Sequence, residues 1–570
     1  MPYETLAPAI RSLTTGIPAQ QAIFLLQRSR YCIALLTAIC AVVFFYGLGD
    51  LRLWDIDEGM HAVMARNMVI TGDWVTPLFN GEPFFDKPAM YNWLTALSFS
   101  ILGFTEFAAR LPSALLGTGC VVLTYLAGKA VYGRAAGFLA GVMLATSLEF
   151  IIVSRMVIYE VPFTFFTTLS LYLFCLAVLH VRLRRLLFLG FYAAVALAVL
   201  TKGLLGVFLP GLAIVSWLLI RRDWSFLREM QILSGMLVFV AIVSPWFFMM
   251  EKANPGYLEY FVMKQHVANL IGTTAEYRAR HPEPFYYFLP VLFLGLFPWS
   301  ALLFGALRDA LRKMSHESSL TLFLLAWLIG NFFFFSAATS KLSTYILPVF
   351  PAAALLLGRY ITAAIAVPAD RLPKLIERGL AATLLMLLAL ASWVLLFDPW
   401  THWRQEAGLD WQKFEHFILL LVTMNAALLF MAHRRWIASL FATSALLSPA
   451  IVLAVGLYLA PDLQPFKSSA SIGEVYNRLL PAGARMAFFD RMMDSALFYT
   501  GRDADVLHST EALEDFLSQD ERVYVLLRNR EQGSSICRSK CYVIAEEGNK
   551  VVVSNQANAA AAGAQPKTGP

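Results

Sequence analysis

Apolar runs recur along most of this chain, with short polar breaks between them. A helix needs ~20 apolar residues to cross a ~30 Å hydrocarbon core. Thirteen segments fit that pattern, at about 31–49, 107–128, 135–153, 161–181, 186–201, 204–220, 231–250, 285–307, 319–338, 344–362, 377–397, 416–433 and 437–460. Only Thr201-Lys202-Gly203 separates the fifth from the sixth, which predicts a tight helical hairpin. The pattern changes in two places. Residues 50–106 are too long for a simple connection: EGMHAVMARNMVITG predicts one amphipathic helix, and KPAMYNWLTALSFSILG a second with Pro88 in its first turn. Both are expected to lie along the outer membrane–water boundary. From about residue 461 the chain reads as a soluble α/β domain running to about 555. In it ARMAFFD, RVYVLLRN and KVVVSN are predicted strands and STEALEDFLSQD a helix. Residues 556–570 are low-complexity and expected to be disordered.

Charge fixes the orientation of this pattern. Taking residues 1–30 as cytoplasmic places Lys129/Arg134, Arg182/Arg184/Arg185, Arg221/Arg222/Arg228, Arg308/Arg312/Lys313, Arg359/Arg371/Lys374/Arg378 and Arg434/Arg435 on the same side. Every such loop is basic, as the positive-inside rule requires. The opposite loops are longer and more acidic; residues 50–90 hold seven Asp/Glu against three Lys/Arg. An odd number of spans puts the C-terminal domain outside. Hydrophobic residues make up 58% of the 570 and charged ones 15%, against ~25% charged in soluble domains. The reading is a polytopic α-helical membrane protein. No cleavable signal peptide is expected. The net charge of +6 follows from the basic loops, and no basic, aromatic-interleaved patch points to nucleic acid. Of six cysteines, Cys32, Cys40, Cys120 and Cys175 fall in apolar segments, while Cys537 and Cys541 are spaced for a local disulfide in an oxidising compartment.

The distinctive polar residues gather on one side. Asp55, Asp57, Glu58, Asp86, Lys87, Glu160, Lys202, His266, His281, Lys341 and Tyr345 all map to outer loops or outer helix ends. The middles of the spans are almost free of ionisable groups, whereas an ion-coupled transporter places charge near the midplane. This favours a reaction centre open to the outer face over a transporter or flippase. In DIDEGMHA, helix capping explains Asp57 and Glu58 as well as a general-base or cation-stabilising role does, and both roles are compatible. In FFDKPAM, Lys87 is either a snorkelling lysine or a partner for a lipid phosphate. Lys202 reads as an interfacial anchor beside many acids, and Glu160 as a helix cap or a second functional acid. His266 and His281, with Asp86, are candidate zinc ligands at non-local spacing.

The stretch DIDEGMHAVMARNMVITGDWVTPLFNGEPFFDKPAMYNWLTALSFSILGFTEFAARLPSAL resembles the first outer loop of bacterial C-type (GT-C) glycosyltransferases related to the protein O-mannosyltransferases. Within that superfamily it is most similar to the branch that adds 4-amino-4-deoxy-L-arabinose to lipid A. LTKG, HPEPFYYFLPVLFLGLFPWS, SKLSTYILPVFPAAALLL and SALFYTGR match later blocks. The resemblance implies a transmembrane glycosyltransferase domain over 31–460, with outer loops at 50–106 and 251–284, in the bacterial inner membrane. Its active site and 461–555 domain would face the periplasm. It implies a sugar donor linked to undecaprenyl phosphate, an envelope acceptor such as lipid A, membrane lipids as surroundings, a monomer and no nucleotide cofactor. It implies Asp57 and Glu160 as catalytic acids, Lys87 and Tyr345 at the donor phosphate, and a metal on Asp86 and His266 with His281 as a further ligand; Lys202, Arg278 and Lys341 are added as candidates around that phosphate, and Asp55 and Glu58 as candidates lining the acceptor side. Met60 and His61 stand where the family often has arginine and tyrosine, and Asn269 stands near a missing arginine that Arg278 or Arg280 would replace. A protein acceptor or another glycolipid is the nearest alternative; a lipid-linked sugar flippase is the alternative of a different class.

Overall fold

The computed structural model describes residues 30–55, 57–268, 282–312, 318–365, 385, 411–433, 437–479, 484–528 and 541–557. The expected span at 377–397, nearly all of the N-terminal segment and most of the tail lie outside the described residues. Helix α1 (Cys32–Cys40) continues as a π-helical turn to Phe45. The first loop then forms α2 (Asp57–Thr71), a two-stranded ribbon of β1 (Leu78–Phe79) and β2 (Glu82–Pro83), and α3 (Met90–Leu102). The membrane bundle follows with α4 (Glu106–Tyr132), α5 (Arg134–Ala145), α6 (Leu148–Ser154), α7 (Glu160–Leu179), α8 (Arg184–Lys202), α9 (Leu205–Arg221) and α10 (Ile232–Ala253). It continues with α11 (Phe288–Gly295), α12 (Ser300–Arg312), α13 (Ser319–Ala337), α14 (Phe350–Ile365), α15 (Trp411–His433) and α16 (Ile437–Ala454). Among the described residues, seven helical stretches are long and apolar enough to cross a bilayer, or up to nine if each bent pair counts as one span.

The bent pairs replace two of the straight spans expected from hydropathy. Helices α5 and α6 meet at 65°, and α11 and α12 at 110°. At the first bend, the Thr146 and Ser147 hydroxyls donate to the carbonyls of Val142 and Met143, each at 2.7 Å. At the second, Pro298 supplies no amide to continue the ladder. The bends also satisfy each other: Phe297 O accepts from Leu148 N at 3.1 Å and from Ser448 Oγ at 2.9 Å. Irregular backbone is tolerated at membrane depth when its polar groups are paired within the protein.

The C-terminal unit contains α17 (Ala460–Lys467), α18 (Ala470–Leu479), β3 (Arg485–Phe489), α19 (Asp494–Thr500), β4 (Asp505–Leu507), α20 (Thr510–Leu517), β5 (Val523–Arg528), β6 (Tyr542–Glu547) and β7 (Lys550–Ser554). The sheet order is β4-β3-β5-β7-β6. Strand β3 runs parallel to β4 and β5, while β7 is antiparallel to β5 and β6. Ser509 caps α20 by accepting from Ala512 N at 3.1 Å.

Helix α2 is not the one-sided amphipathic helix expected from its sequence. It packs between α3 and α19, with Gly59, His61, Ala62, Met64, Ala65 and Met68 all buried. Its apolar residues surround the axis instead of forming one stripe, and such a helix is an internal one. By contrast α3 leaves Leu97, Ile101 and Leu102 exposed, the stripe expected next to lipid. Ala62, Phe99, Phe488, Phe498 and Leu526 belong to one hydrophobic cluster, so the first loop and the C-terminal unit share a core.

Candidate active site

The three acids of Asp55-Ile56-Asp57-Glu58 have different surroundings. Glu58 is 3% exposed and all of its acceptor capacity is engaged. Its Oε1 accepts from Arg110 Nε at 2.8 Å and Val157 N at 3.1 Å, and its Oε2 from Arg110 Nη2 at 2.8 Å and Trp54 N at 3.1 Å. Arg110 also donates to the carbonyls of Leu48, Leu51 and Arg52, at 3.0, 2.6 and 3.1 Å. This buried fork joins α4, the start of the first loop and the turn before α7. Asp55 faces the C-terminal unit: Ser495 N reaches its Oδ1 at 3.0 Å and Lys550 Nζ its Oδ2 at 3.2 Å. Glu58 and Asp55, expected to line the acceptor side, are thus each held in an ion pair, with Arg110 and Lys550. Asp57, the first residue of α2, is the exposed member of the three.

One turn along α2, His61 is buried between the rings of Tyr91 and Tyr159, with centroids 5.9 and 4.4 Å away. Residues four apart share a helix face, so His61 lies beneath Asp57. Burial pushes the His61 pKa down to about 3; Glu160 pulls it upward and Lys87 pushes it further down. The imidazole is therefore neutral at physiological pH. Glu160 opens α7 and accepts from Lys202 Nζ, at the end of α8, at 2.9 Å. Both side chains are buried, and the Lys202 ammonium sits 4.3 Å from the centre of the Tyr345 ring. The TKG hairpin thus delivers its lysine to an acid and an aromatic face. Tyr345 and Lys202 thus lie side by side. Lys341 is buried and donates to Glu283 O at 2.7 Å.

Lys87 Nζ donates to Asp86 O at 3.1 Å, while Asp86 Oδ1 accepts from the Tyr260 hydroxyl at 2.8 Å. Arg278, His281 and Cys537 lie outside the described residues, as does the side chain of His266 in the π-helical stretch Tyr260–Ala268. No group of three His, Cys, Asp or Glu side chains suited to a metal occurs among the described residues. The expected zinc site therefore gains no support among the described residues.

Three contributors were missed in the sequence. Arg110 is basic at the first-loop end of a span, against the charge rule, and that exception was a readable signal. Glu149 hides in the apolar run SLEFIIV; both its oxygens are buried without a hydrogen-bond partner among the described residues, within electrostatic reach of Glu160. Asp494 gave no local signal. It opens α19 and is 9% exposed; burial, then the charges on Asp55 and Asp57, push its carboxyl up to about 8. The sign of the linkage follows: the folded state holds this proton more tightly than the unfolded state. The favourable contribution is complete below the ordinary carboxylate pKa of ~4 and falls as pH rises through about 8. Asp494→Asn should flatten this part of the pH–stability curve, giving a melting temperature at pH 8 above that of the wild type. Equal slopes in the two proteins between pH 5 and 8 would refute the assignment.

Comparison with known proteins gives this arrangement a family. Residues 86–248 match the model for dolichyl-phosphate-mannose-protein mannosyltransferase. The undecaprenyl phosphate-alpha-4-amino-4-deoxy-L-arabinose arabinosyl transferase of Enterobacter sp. (strain 638) is 30% identical over 385 residues, covering 66% of this chain and 68% of that one. The chain belongs to the family of these arabinosyl transferases. The family member of the same name from Erwinia tasmaniensis is 32% identical over 380 residues, covering 64% of this chain and 66% of its own. Matches to four curated relatives span 62–68% of their length. The crystal structure of ArnT from Cupriavidus metallidurans bound to undecaprenyl phosphate superposes with a TM-score of 0.76 at 23% identity, covering 92% of this chain and 98% of that one. This likeness establishes the fold alone, a multi-helix membrane fold of GT-C type.

Proposed function

We propose that this chain transfers 4-amino-4-deoxy-L-arabinose from undecaprenyl phosphate to a phosphate of lipid A, at the periplasmic face of the bacterial inner membrane. Family membership supports the donor and the sugar. The geometric observation that carries the reading is the buried Glu160–Lys202 pair under Tyr345, within electrostatic reach of neutral His61, which lies one helical turn from the exposed Asp57. An inverting transfer fits these groups. An acceptor phosphate oxygen forms a bond to the anomeric carbon as the bond from that carbon to the carrier phosphate breaks. The electron pair leaves with undecaprenyl phosphate, whose added negative charge is offset by Lys87 and Lys202. An anionic phosphate needs no deprotonation, so Asp57 acts on the sugar, stabilising positive charge as it develops at the anomeric carbon. With a hydroxyl acceptor, Asp57 takes the proton. Both lipids arrive by lateral diffusion, so the reaction uses no nucleotide.

Lys202→Met is expected to lower turnover by ~10²–10³-fold, the usual cost of removing one preorganised stabiliser of developing charge. Pairing it with Glu160→Gln removes the stranded buried carboxylate and recovers folding but not transfer. Near-normal turnover in the single variant would reject the role. The match to a protein mannosyltransferase model supports a second reading, a serine or threonine acceptor. Purified protein in liposomes, supplied with the lipid-linked sugar and either lipid A or a Ser/Thr peptide, distinguishes the two. We expect product on lipid A; product on the peptide alone would replace this reading with the second.

A further inference from the structure

Asp55, two residues before Asp57, is held by side chains from the far end of the sequence. Its Oδ1 accepts from Ser495 N at 3.0 Å and from the Ser495 hydroxyl. Its Oδ2 accepts from Ser469 Oγ at 3.2 Å and pairs with Lys550 Nζ at 3.2 Å. Its own amide donates to Lys467 O at 2.7 Å. Lys550 is buried at the start of β7 and also donates to the carbonyls of Pro465, Phe466 and Ser468, at 3.3, 3.2 and 2.6 Å. One ammonium thus ties the sheet, the α17–α18 junction and the acidic segment together.

The same contact continues on the other side of Asp57. A Cβ at Gly59 would lie 2.4 Å from Ser495 N, so the first turns of α2 and α19 touch through backbone. Asp494, at the tip of α19, lies within electrostatic reach of both Asp55 and Asp57. Around them Arg52 pairs with Glu474 at 2.7 Å, Leu53 N donates to the Tyr499 hydroxyl at 2.8 Å, and Arg66 donates to Phe498 O at 3.1 Å. Asn80 and Ala504 exchange two hydrogen bonds of 2.8 Å each. A buried ion pair adds little net stability because desolvation offsets the attraction; what it fixes is geometry.

We propose that the C-terminal unit is a working part of the transfer site, with Lys550 and Asp494 as positioning residues that set the orientation of Asp57. The inference rests on Asp57 acting in the transfer. The charged and titratable groups at this junction are Arg52, Asp55, Asp57, the Glu58–Arg110 pair, Arg66 and Glu106 from the first loop and α4. The C-terminal unit adds Lys467, Glu474, Arg478, Tyr499, Arg502 and Lys550.

The test is transfer kinetics on the full-length protein in liposomes, with kcat, donor KM and thermal unfolding read separately. Lys550→Met and Asp55→Asn should each lower kcat by roughly 10–100-fold, the scale of an ångström-level misplacement, with donor KM within about twofold. The double variant should be no worse than the poorer single, because the two groups act as one clasp. Asp494→Asn, nearly isosteric and able to keep α19 capped, should shift the alkaline limb of the kcat–pH profile. Lower melting temperatures with unchanged kcat per folded molecule would overturn the proposal, and so would an unchanged pH profile in Asp494→Asn. If Lys550→Met does not fold, the Asp494→Asn profile decides. Asp57→Asn separates the two levels: an inactive Asp57→Asn beside fully active clasp variants rejects only this inference, whereas an active Asp57→Asn rejects the function itself.

Discussion

Asp57→Asn is expected to cut sugar transfer by ~10²–10³-fold while leaving the protein folded. Asn caps a helix start about as well as Asp, so the N-terminus of α2 keeps its local stability. The structural anchors of the segment, Glu58 on Arg110 and Asp55 on Lys550, are untouched by the change. What disappears is the negative charge at the exposed position, and removing one preorganised stabiliser of developing charge costs ~10²–10³-fold. Initial rates with the lipid-linked donor, set beside the melting curve, check both halves of the prediction. Asp57→Asn turnover within about tenfold of wild type would remove Asp57 from the mechanism.

Arg110→Met is expected to be the most destabilising substitution in the first-loop region, at about 3–5 kcal/mol. It strands the Glu58 carboxylate in a site 3% exposed and leaves the carbonyls of Leu48, Leu51 and Arg52 without the guanidinium. Breaking one side of a buried pair costs far more than the pair contributes. The double variant Glu58→Gln/Arg110→Met should recover part of the loss, because no lone charge remains. Thermal unfolding of the purified protein measures both, and a shift in Arg110→Met no larger than that of an ordinary surface substitution would contradict the assignment.

What the sequence revealed follows from the range of the forces involved. Lipid obliges each apolar run to satisfy its own backbone, so the helices of the bundle were legible as hydropathy alone. Strands β3, β5 and β7 were legible because their buried faces read as apolar runs. Strand β6, a largely exposed sheet edge, and three-residue β4 were not. The bends at 146–147 and 296–299 escaped because they depend on hydroxyls and a carbonyl from three separate parts of the chain. At the site, Asp57, Glu160, Lys202 and Tyr345 stood out as polar groups at span ends, and Lys202, Glu160 and Tyr345 do meet. The three acids of one tetrapeptide looked alike in sequence. Their different surroundings come from Arg110, Ser495 and Lys550, partners that no local periodicity links to them.

The most direct measurement is mass spectrometry of lipid A from otherwise identical cells with and without this chain. The account predicts phosphate groups bearing 4-amino-4-deoxy-L-arabinose when the chain is present, none when it is absent, and none when it carries Asp57→Asn. Identical lipid A in all three strains, with the undecaprenyl-linked sugar present in each, would contradict it.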